Sequence, residues 1–423
     1  MYLSRSASPH IVHLAHTTVA GGAELALKRL LDADPAWQSS LLIPAEEAEN
    51  VFEGVSRSTG GVRQTSGASS GGVLRMLGFA GRLMIQASVT RWHPAVRRSD
   101  LVVANSTRSA AYGALAVLGT NRRFVVHLRD HVSRDALGSL GYRMMTTIVL
   151  PRADGVVANS HGTLETAREF LRDDAVTAVI PSPSGLGRLR RQRRTDGPLR
   201  VGMLARLDPW KGQLALIDAF AEAFHDGDAQ LDLAGAALFE HNEFADELKQ
   251  RAQQLGIADR VNLLGHVDDI APLLASWDIA VQYSLRPEPM GQNVLQCLAA
   301  GTALVTADEG GPTEWVRHEQ NGLRVAPRDT AALAGALRRL ADDAVLRARL
   351  GTAGAHTPGL LDDTQIAVIH AAVYRDVIGA DHPMHAVEPT PVATFPVAGF
   401  ETTGASRAAF QVVTNQTATA RTW

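Results

Sequence analysis

Residues 286–301 read RPEPMGQNVLQCLAAG, and the rest of the chain is read outward from them. The stretch follows the unbroken apolar run Ile279 to Tyr283, which predicts a strand covered on both faces. A helix opens near Gly291. Glu288 therefore stands at the carboxyl end of a strand, the edge of an open parallel sheet where ligands bind. A glycine at a helix start lets a phosphate or sugar approach exposed backbone N–H groups. Gln296, more than a turn further along, reaches a different part of the same extended ligand.

The pattern that precedes this stretch recurs through the chain. Short β-rich apolar runs lie at Ile11 to Ala15, Leu101 to Ala104, Phe124 to Leu128 and Gly155 to Ala158. The second half repeats them at Val201 to Leu204, Leu231 to Ala234, Val261 to Leu264 and Ala303 to Thr306. Amphipathic helices such as Gly212 to Phe224 and Thr330 to Leu340 fall between. Buried strands alternating with helices predict parallel sheets covered on both faces, an α/β class of doubly wound domains. Pro181 to Pro198, with its Pro, Ser and Gly and five arginines from Arg188 to Arg194, marks the boundary between two such domains. The expected organisation is an N-terminal domain over 1–184, a linker at 185–198, a C-terminal domain over 199–363, a helix at 364–379 and a disordered tail from 380 to 423.

Composition narrows the class. The chain has 423 residues, 45% apolar and 20% charged, enough for two compact cores. A net charge of -3 gives no general drive toward nucleic acid, so no nucleic-acid partner is expected. The single cysteine, Cys297, cannot close an intrachain disulfide and reads as core; a cytoplasmic location is expected, at the inner face of a membrane if the protein touches one. From Val62 to Ser99 every charged side chain is an arginine. Val73 to Ser88, with Arg75 and Arg82 among apolar residues, has two readings: a basic, partly apolar face for an anionic membrane, extending to Arg98, or a core helix with solvated arginines.

Two further segments bring chemistry to strand ends. Gly202 to Gly212 reads GMLARLDPWKG, a strand followed by Arg206 and Lys211. Two cations there can hold a diphosphate and neutralise the charge that develops when it leaves. Gly21-Gly22-Ala23-Glu24, after the first strand, either presents backbone amides to a phosphate or simply makes a tight turn. The set suits a nucleotide sugar. No Ser-His-Asp or Cys-His arrangement stands out, and neither Asp308-Glu309 nor the scattered histidines have metal-ligand spacing, so a metal-free reaction without a cofactor is expected.

These residues resemble the family 4 retaining glycosyltransferases, with their GT-B fold of two facing Rossmann-like domains, from about Ile11 to Ile378. The likeness rests on Gly21 to Glu24, Arg206 to Gly212, Gly265-His-Val-Asp268, Glu288-Pro-Met-Gly291, Ala300-Gly301 and Gly310-Gly311-Pro312. It implies a hexose moved from a nucleotide-diphosphate sugar to a hydroxyl of a polysaccharide, glycolipid or other glycan acceptor, with the second domain binding the donor. It implies that Arg206 and Lys211 grip the diphosphate and that Glu288 faces the hexose. Gly21, Gly22, His266, Val267, Met290, Gly291, Gln292 and Gln296 would complete the donor site. Displacement from the front face, with the leaving phosphate helping to deprotonate the acceptor, then needs no protein nucleophile.

The chain departs from that pattern twice. The family usually carries a second glutamate where this chain has Gln296; an amide can still accept from one ribose hydroxyl and donate to the other, at a cost of about 1 kcal/mol. In Phe124 to His131, FVVHLRDH, the family commonly has His-Asp where Arg129-Asp130 stand. Arg129 and Asp130 are the expected catalytic-side contacts, with His127 and His131 near enough to substitute or to be structural. Two rival functions remain at this level: a nucleotide-sugar epimerase of the same architecture, and a non-catalytic nucleotide-sugar-binding scaffold.

Overall fold

The computed structural model describes residues 8–44, 50–64, 73–185, 197–236 and 242–379, with backbone alone at 73–77 and 242. Thirteen strands among them form two sheets. β1 (His10–Leu14), β2 (Gln38–Ile43), β3 (Arg57–Thr59), β4 (Leu101–Ala104), β5 (Arg123–Leu128), β6 (Gly155–Ala158) and β7 (Val176–Val179) make a seven-stranded sheet in the order β3-β2-β1-β4-β5-β6-β7. β8 (Arg200–Leu204), β9 (Gln230–Ala234), β10 (Val261–Gly265), β11 (Ile279–Gln282), β12 (Ala303–Ala307) and β13 (Leu323–Val325) make a six-stranded one in the order β10-β9-β8-β11-β12-β13. Every pairing is parallel, with Val12 opposite both Ser40 and Val102 in the first sheet. In the second, Ile279 lies opposite Val201 and Ala303.

The central strands are buried along their length, so helices must cover both faces. Two apolar clusters do this for the second domain, one around Val201, Leu231, Ile279 and Leu337, the other around Trp277, Leu298 and Leu304. In the first domain, helix Thr107–Val117 starts at Ser106, whose hydroxyl and that of Ser109 each accept the other residue's backbone N–H in a reciprocal cap. The last helix, Asp363–Gly379, returns to the first domain: Ile366, Tyr374 and Val377 pack with Ile11, Val103 and Val125. It is part of that core rather than an appendage of the second domain.

In each sheet the strand order reverses once, between β1 and β4 and between β8 and β11. Crevices at such reversals, outside the strands' carboxyl ends, are the ligand sites of open α/β sheets. The expected linker falls largely on 186–196 and the expected tail on 380–423; both lie outside the described residues, as does 65–72 before helix Val73–Trp92. Among the described residues no helix is long and apolar enough to cross a membrane.

Candidate active site

A cleft of about 1410 Å³ opens between the two domains where the two reversals face each other. Gly21, Gly22, Arg129, Asp130, Arg206, Lys211, His266, Val267, Glu288, Met290, Gly291, Gln292 and Gln296 all line it. Residues far apart in the chain are thus brought into one space. They arrive on loops after β1, β5, β8, β10 and β11.

Backbone geometry fixes the second domain's half. Gly212 lies at φ +83° against the carbonyl of Tyr283, where an added Cβ would come within 2.0 Å of the oxygen. Only glycine lets the loop holding Arg206 and Lys211 approach β11 so closely. Lys211 Nζ donates to both oxygens of Glu288 at 2.8 Å, and Ser284 Oγ donates to Oε2 at 2.7 Å. The side chains of Lys211 and Glu288 are only 17% and 14% exposed, so they are largely covered rather than open as free cleft residues. Lys211 also stands 3.8 Å from the centre of the Trp210 ring, with the Arg286 guanidinium at 4.2 Å. Arg206, more open, pairs with Asp208 at 2.9 Å. His266 contacts Asp268 at 3.2 Å and is exposed.

Gly291, at φ +78°, precedes helix Gln292–Ala299 with no side-chain cap, and Gly21 precedes helix Gly22–Asp32 in the same state. The Gln292 side chain, from the first turn of its helix, reaches the other helix start: a Cβ on Gly22 would lie 3.9 Å from its Oε1. Uncapped N–H groups and helix dipoles of both domains therefore bear on one space, which favours an anion there. Gln292 and Gln296 also reach out of the donor half, donating to the carbonyls of Pro183 at 3.0 Å and Ser184 at 2.9 Å.

The first domain's half is charged and mostly enclosed. Arg129 donates to Asn105 Oδ1 through Nε at 3.2 Å and Nη2 at 2.8 Å, and to Ser182 Oγ at 2.8 Å. Burial lowers its pKa to about 10, opposed by the Glu24 carboxylate. Asp130 is exposed and lines the cleft, where desolvation by the surrounding protein raises its pKa, with Glu288 adding to the effect. Glu24 is 6% exposed, and burial raises its pKa to about 7. His16 accepts or donates at 2.9 Å to Ser106 Oγ and lies 3.8 Å from Glu24; burial lowers its pKa to about 4, so this contact is not an ion pair at neutral pH.

Of the two histidines that could have replaced the family's His-Asp, His127 is ruled out as a cleft group. It is 4% exposed, bonds Tyr374 Oη at 2.8 Å through Nε2, and lies against His370 in the first core. Burial among like charges drives its pKa well below the usual histidine value. Cys297 is core, its thiol pushed up to about 12 by burial. Among the described residues no group of three or more His, Cys, Asp and Glu is arranged to hold a metal ion.

Glu24, His16, Asn105, Ser106, Arg108 and Asn159 join the cleft without having been singled out as site residues from the sequence. Asn105 and Asn159 directly follow β4 and β6. The rule that ligands gather at strand carboxyl ends points to them once it is applied to every strand.

Comparison with known proteins agrees with this geometry. Residues 37–183 match the domain family described as Glycosyl transferase 4-like domain, and residues 188–357 match Glycosyl transferases group 1. A structure of Anabaena HepE in complex with UDP and glucose superposes with a TM-score of 0.71 over 86% of this chain and 99% of that one, at 26% identity. The chain has a GT-B glycosyltransferase fold. Similar proteins of this kind include the lipopolysaccharide core biosynthesis glycosyltransferase LpsE of Rhizobium meliloti, 32% identical over 48% of this chain and 58% of that protein. The phosphatidyl-myo-inositol mannosyltransferase of Mycobacterium leprae is 32% identical over 49% of this chain and 55% of that protein. The matched part thus spans less than two thirds of these curated relatives. In GT-B terms the first domain supplies Glu24, Arg108, Arg129 and Asp130, and the second Arg206, Lys211, Glu288 and the glycine-led helix.

Proposed function

We propose that the protein is a retaining, family 4 type hexosyltransferase that moves a sugar from a nucleoside-diphosphate donor to a hydroxyl of a glycan or lipid-linked acceptor. The observation that carries this reading is the Lys211–Glu288 pair beside Arg206, under the uncapped start of helix Gln292–Ala299. A diphosphate entering there meets two cations and a helix N-terminus, which stabilise the charge of the departing nucleotide. Protein cations fill that role without a metal. Glu288, fixed by Lys211 and Ser284, is held to accept hydroxyl hydrogens of the donor hexose. The first domain would hold the acceptor against Glu24, Arg129 and Asp130. HepE was solved with UDP and glucose, which favours a uridine donor.

Peripheral membrane contact through Val73 to Arg98 belongs to the same reading. Helix Val73–Trp92 buries Leu83, Gln86 and Ala87 but leaves Met84 56%, Ile85 51% and Trp92 66% exposed, with Arg97 beside the Trp92 ring. Exposed apolar side chains flanked by arginines suit an anionic interface.

The test is turnover. Purified protein given UDP-glucose, and then other nucleotide hexoses, should release nucleotide with or without acceptor, and Lys211→Ala should abolish release. Turnover retained in that variant would refute the site assignment.

A further inference from the structure

The donor loop is gripped from the opposite domain. Ser160 Oγ, at the start of the short first-domain helix His161–Glu165, donates to the Pro289 carbonyl at 2.5 Å, and Thr163 Oγ1 lies 3.3 Å from the same oxygen. Pro289 is the neighbour of Glu288. On the same helix the backbone N–H groups of His161 and Gly162 donate to the two carboxylate oxygens of Glu314 at 3.0 and 2.8 Å. Glu314 belongs to the second domain, on the turn Pro312–Trp315. Two of the N–H groups that a helix start leaves without intrahelical partners thus donate to the facing domain.

The two contacts are joined within the second domain. Gly311 N donates to the Glu288 carbonyl at 2.7 Å. The backbone of Glu288 lies so close to Gly310 that a Cβ there would be 2.6 Å from its nitrogen and oxygen, and a Cβ on Gly311 would be 2.5 Å from Met290 Cα. Residues 288–290 therefore rest on Gly310-Gly311, and the turn that follows carries Glu314. Glu314 and Ser160 thus tie this stretch to the first domain, one through the turn beneath Glu288 and the other through the next peptide.

We propose that Ser160 and Glu314 form an interdomain clasp that positions Glu288 for transfer and engages only when the cleft is closed. They are positioning residues: neither touches the diphosphate grip of Arg206 and Lys211. The proposal rests on the donor role assigned to Glu288 above. It separates binding from chemistry, because nucleotide can dock on the second domain alone, while the Pro289 peptide next to Glu288 and the Glu314 turn beneath it are held from the other side only once the first domain arrives.

The experiment compares the full chain with Glu314→Gln and with Ser160→Ala/Glu314→Gln. The expected result is a fall in kcat of about 10- to 100-fold, the range produced by misplacing a reacting group by an ångström, with the UDP Kd within threefold of wild type. Ser160→Thr, which keeps the hydroxyl, should retain near-normal kcat. A kcat within twofold of wild type in the double variant, or a Kd that rises by the factor by which kcat falls, would overturn the clasp. Small-angle scattering of the ligand-free proteins tests it independently of catalysis. A larger radius of gyration in either Glu314 variant, with unchanged circular dichroism, supports the clasp; superimposable curves overturn it. If wild type turns over no donor while the variants open, the donor role of Glu288 fails and the clasp between domains stands.

Discussion

Replacing Glu288 with alanine should weaken the fold and abolish transfer while leaving nucleotide binding intact. In the free protein Lys211 Nζ spends two 2.8 Å contacts on the Glu288 carboxylate, and both side chains are more than four-fifths covered. Removing the carboxylate leaves a mostly buried cation without its partner. A charged hydrogen-bond partner lost in such a place costs about 2 kcal/mol, below the figure for a fully buried pair because some solvent reaches the cleft. For a domain of this size that lowers Tm by roughly 4–8 °C. The diphosphate, however, gains: Lys211 is released to it and a nearby negative charge disappears, so the UDP Kd should stay level or tighten by up to about fivefold, or about 1 kcal/mol. Removing both partners in Lys211→Ala/Glu288→Ala should cost less stability than the sum of the single changes. The assays are thermal unfolding, calorimetric titration with UDP and donor turnover on the same preparations. A Glu288→Ala protein with wild-type Tm, or with UDP affinity lost in proportion to activity, would refute the reasoning.

The buried Glu24 gives a pH prediction with a definite sign. Its pKa rises from 4.5 unfolded to about 7 folded, so the folded state keeps a proton that the unfolded state has lost. Its contribution is fully present below pH 4.5 and is lost as pH rises to about 7, amounting to about 3 kcal/mol. Glu24→Gln should therefore be more stable than wild type at pH 8 and gain little at pH 4.5, as read by urea unfolding at both values; an equal effect at both would contradict the burial argument. The neutral His13, His16 and His370, with pKa values lowered to about 3, 4 and 4, act oppositely. Stability from each is lost as pH falls below about 6.5, so Glu24→Gln should expose a steeper acid limb in the first domain's unfolding. At the surface, Met84→Asp/Ile85→Asp should reduce co-sedimentation with anionic vesicles at least tenfold without changing Tm by more than about a degree, since both side chains are exposed. Equal sedimentation of variant and wild type would remove the membrane reading.

The central strands were legible because each is a continuous apolar run, and all nine apolar runs read from the sequence became strands of the two sheets. The four that escaped are short or polar. β3 is Arg57-Ser58-Thr59, β13 has Arg324 at its middle, β7 lies at a sheet edge, and β2 opens on Gln38-Ser39-Ser40 before its apolar half. Such strands are held by a neighbour already in place, a tertiary effect that local pattern does not carry. The return of Asp363–Gly379 to the first domain is equally non-local, since its partners Ile11 and Val125 lie hundreds of residues away.

At the site, glycines and strand ends placed the expected donor-binding residues, with Arg129 and Asp130, along the cleft, because loop position follows from topology. Pairings did not follow. Lys211 with Glu288, Arg129 with Asn105 and Ser182, and Gln296 with Ser184 depend on how two domains meet. His127 shows the same limit: it lies two residues before Arg129 and on the same side of the chain, but it is still inside β5, where the last helix covers it with Tyr374 and His370, whereas Arg129 stands beyond the strand's end.

The most direct test of the donor site is thermal unfolding of wild type and Arg206→Ala with UDP, GDP, ADP, TDP and CDP, because a ligand that binds the folded state raises its stability. A shift of several degrees with UDP, present in wild type and absent in Arg206→Ala, is the predicted result. No shift with any of the five nucleotides would contradict a donor site in this cleft.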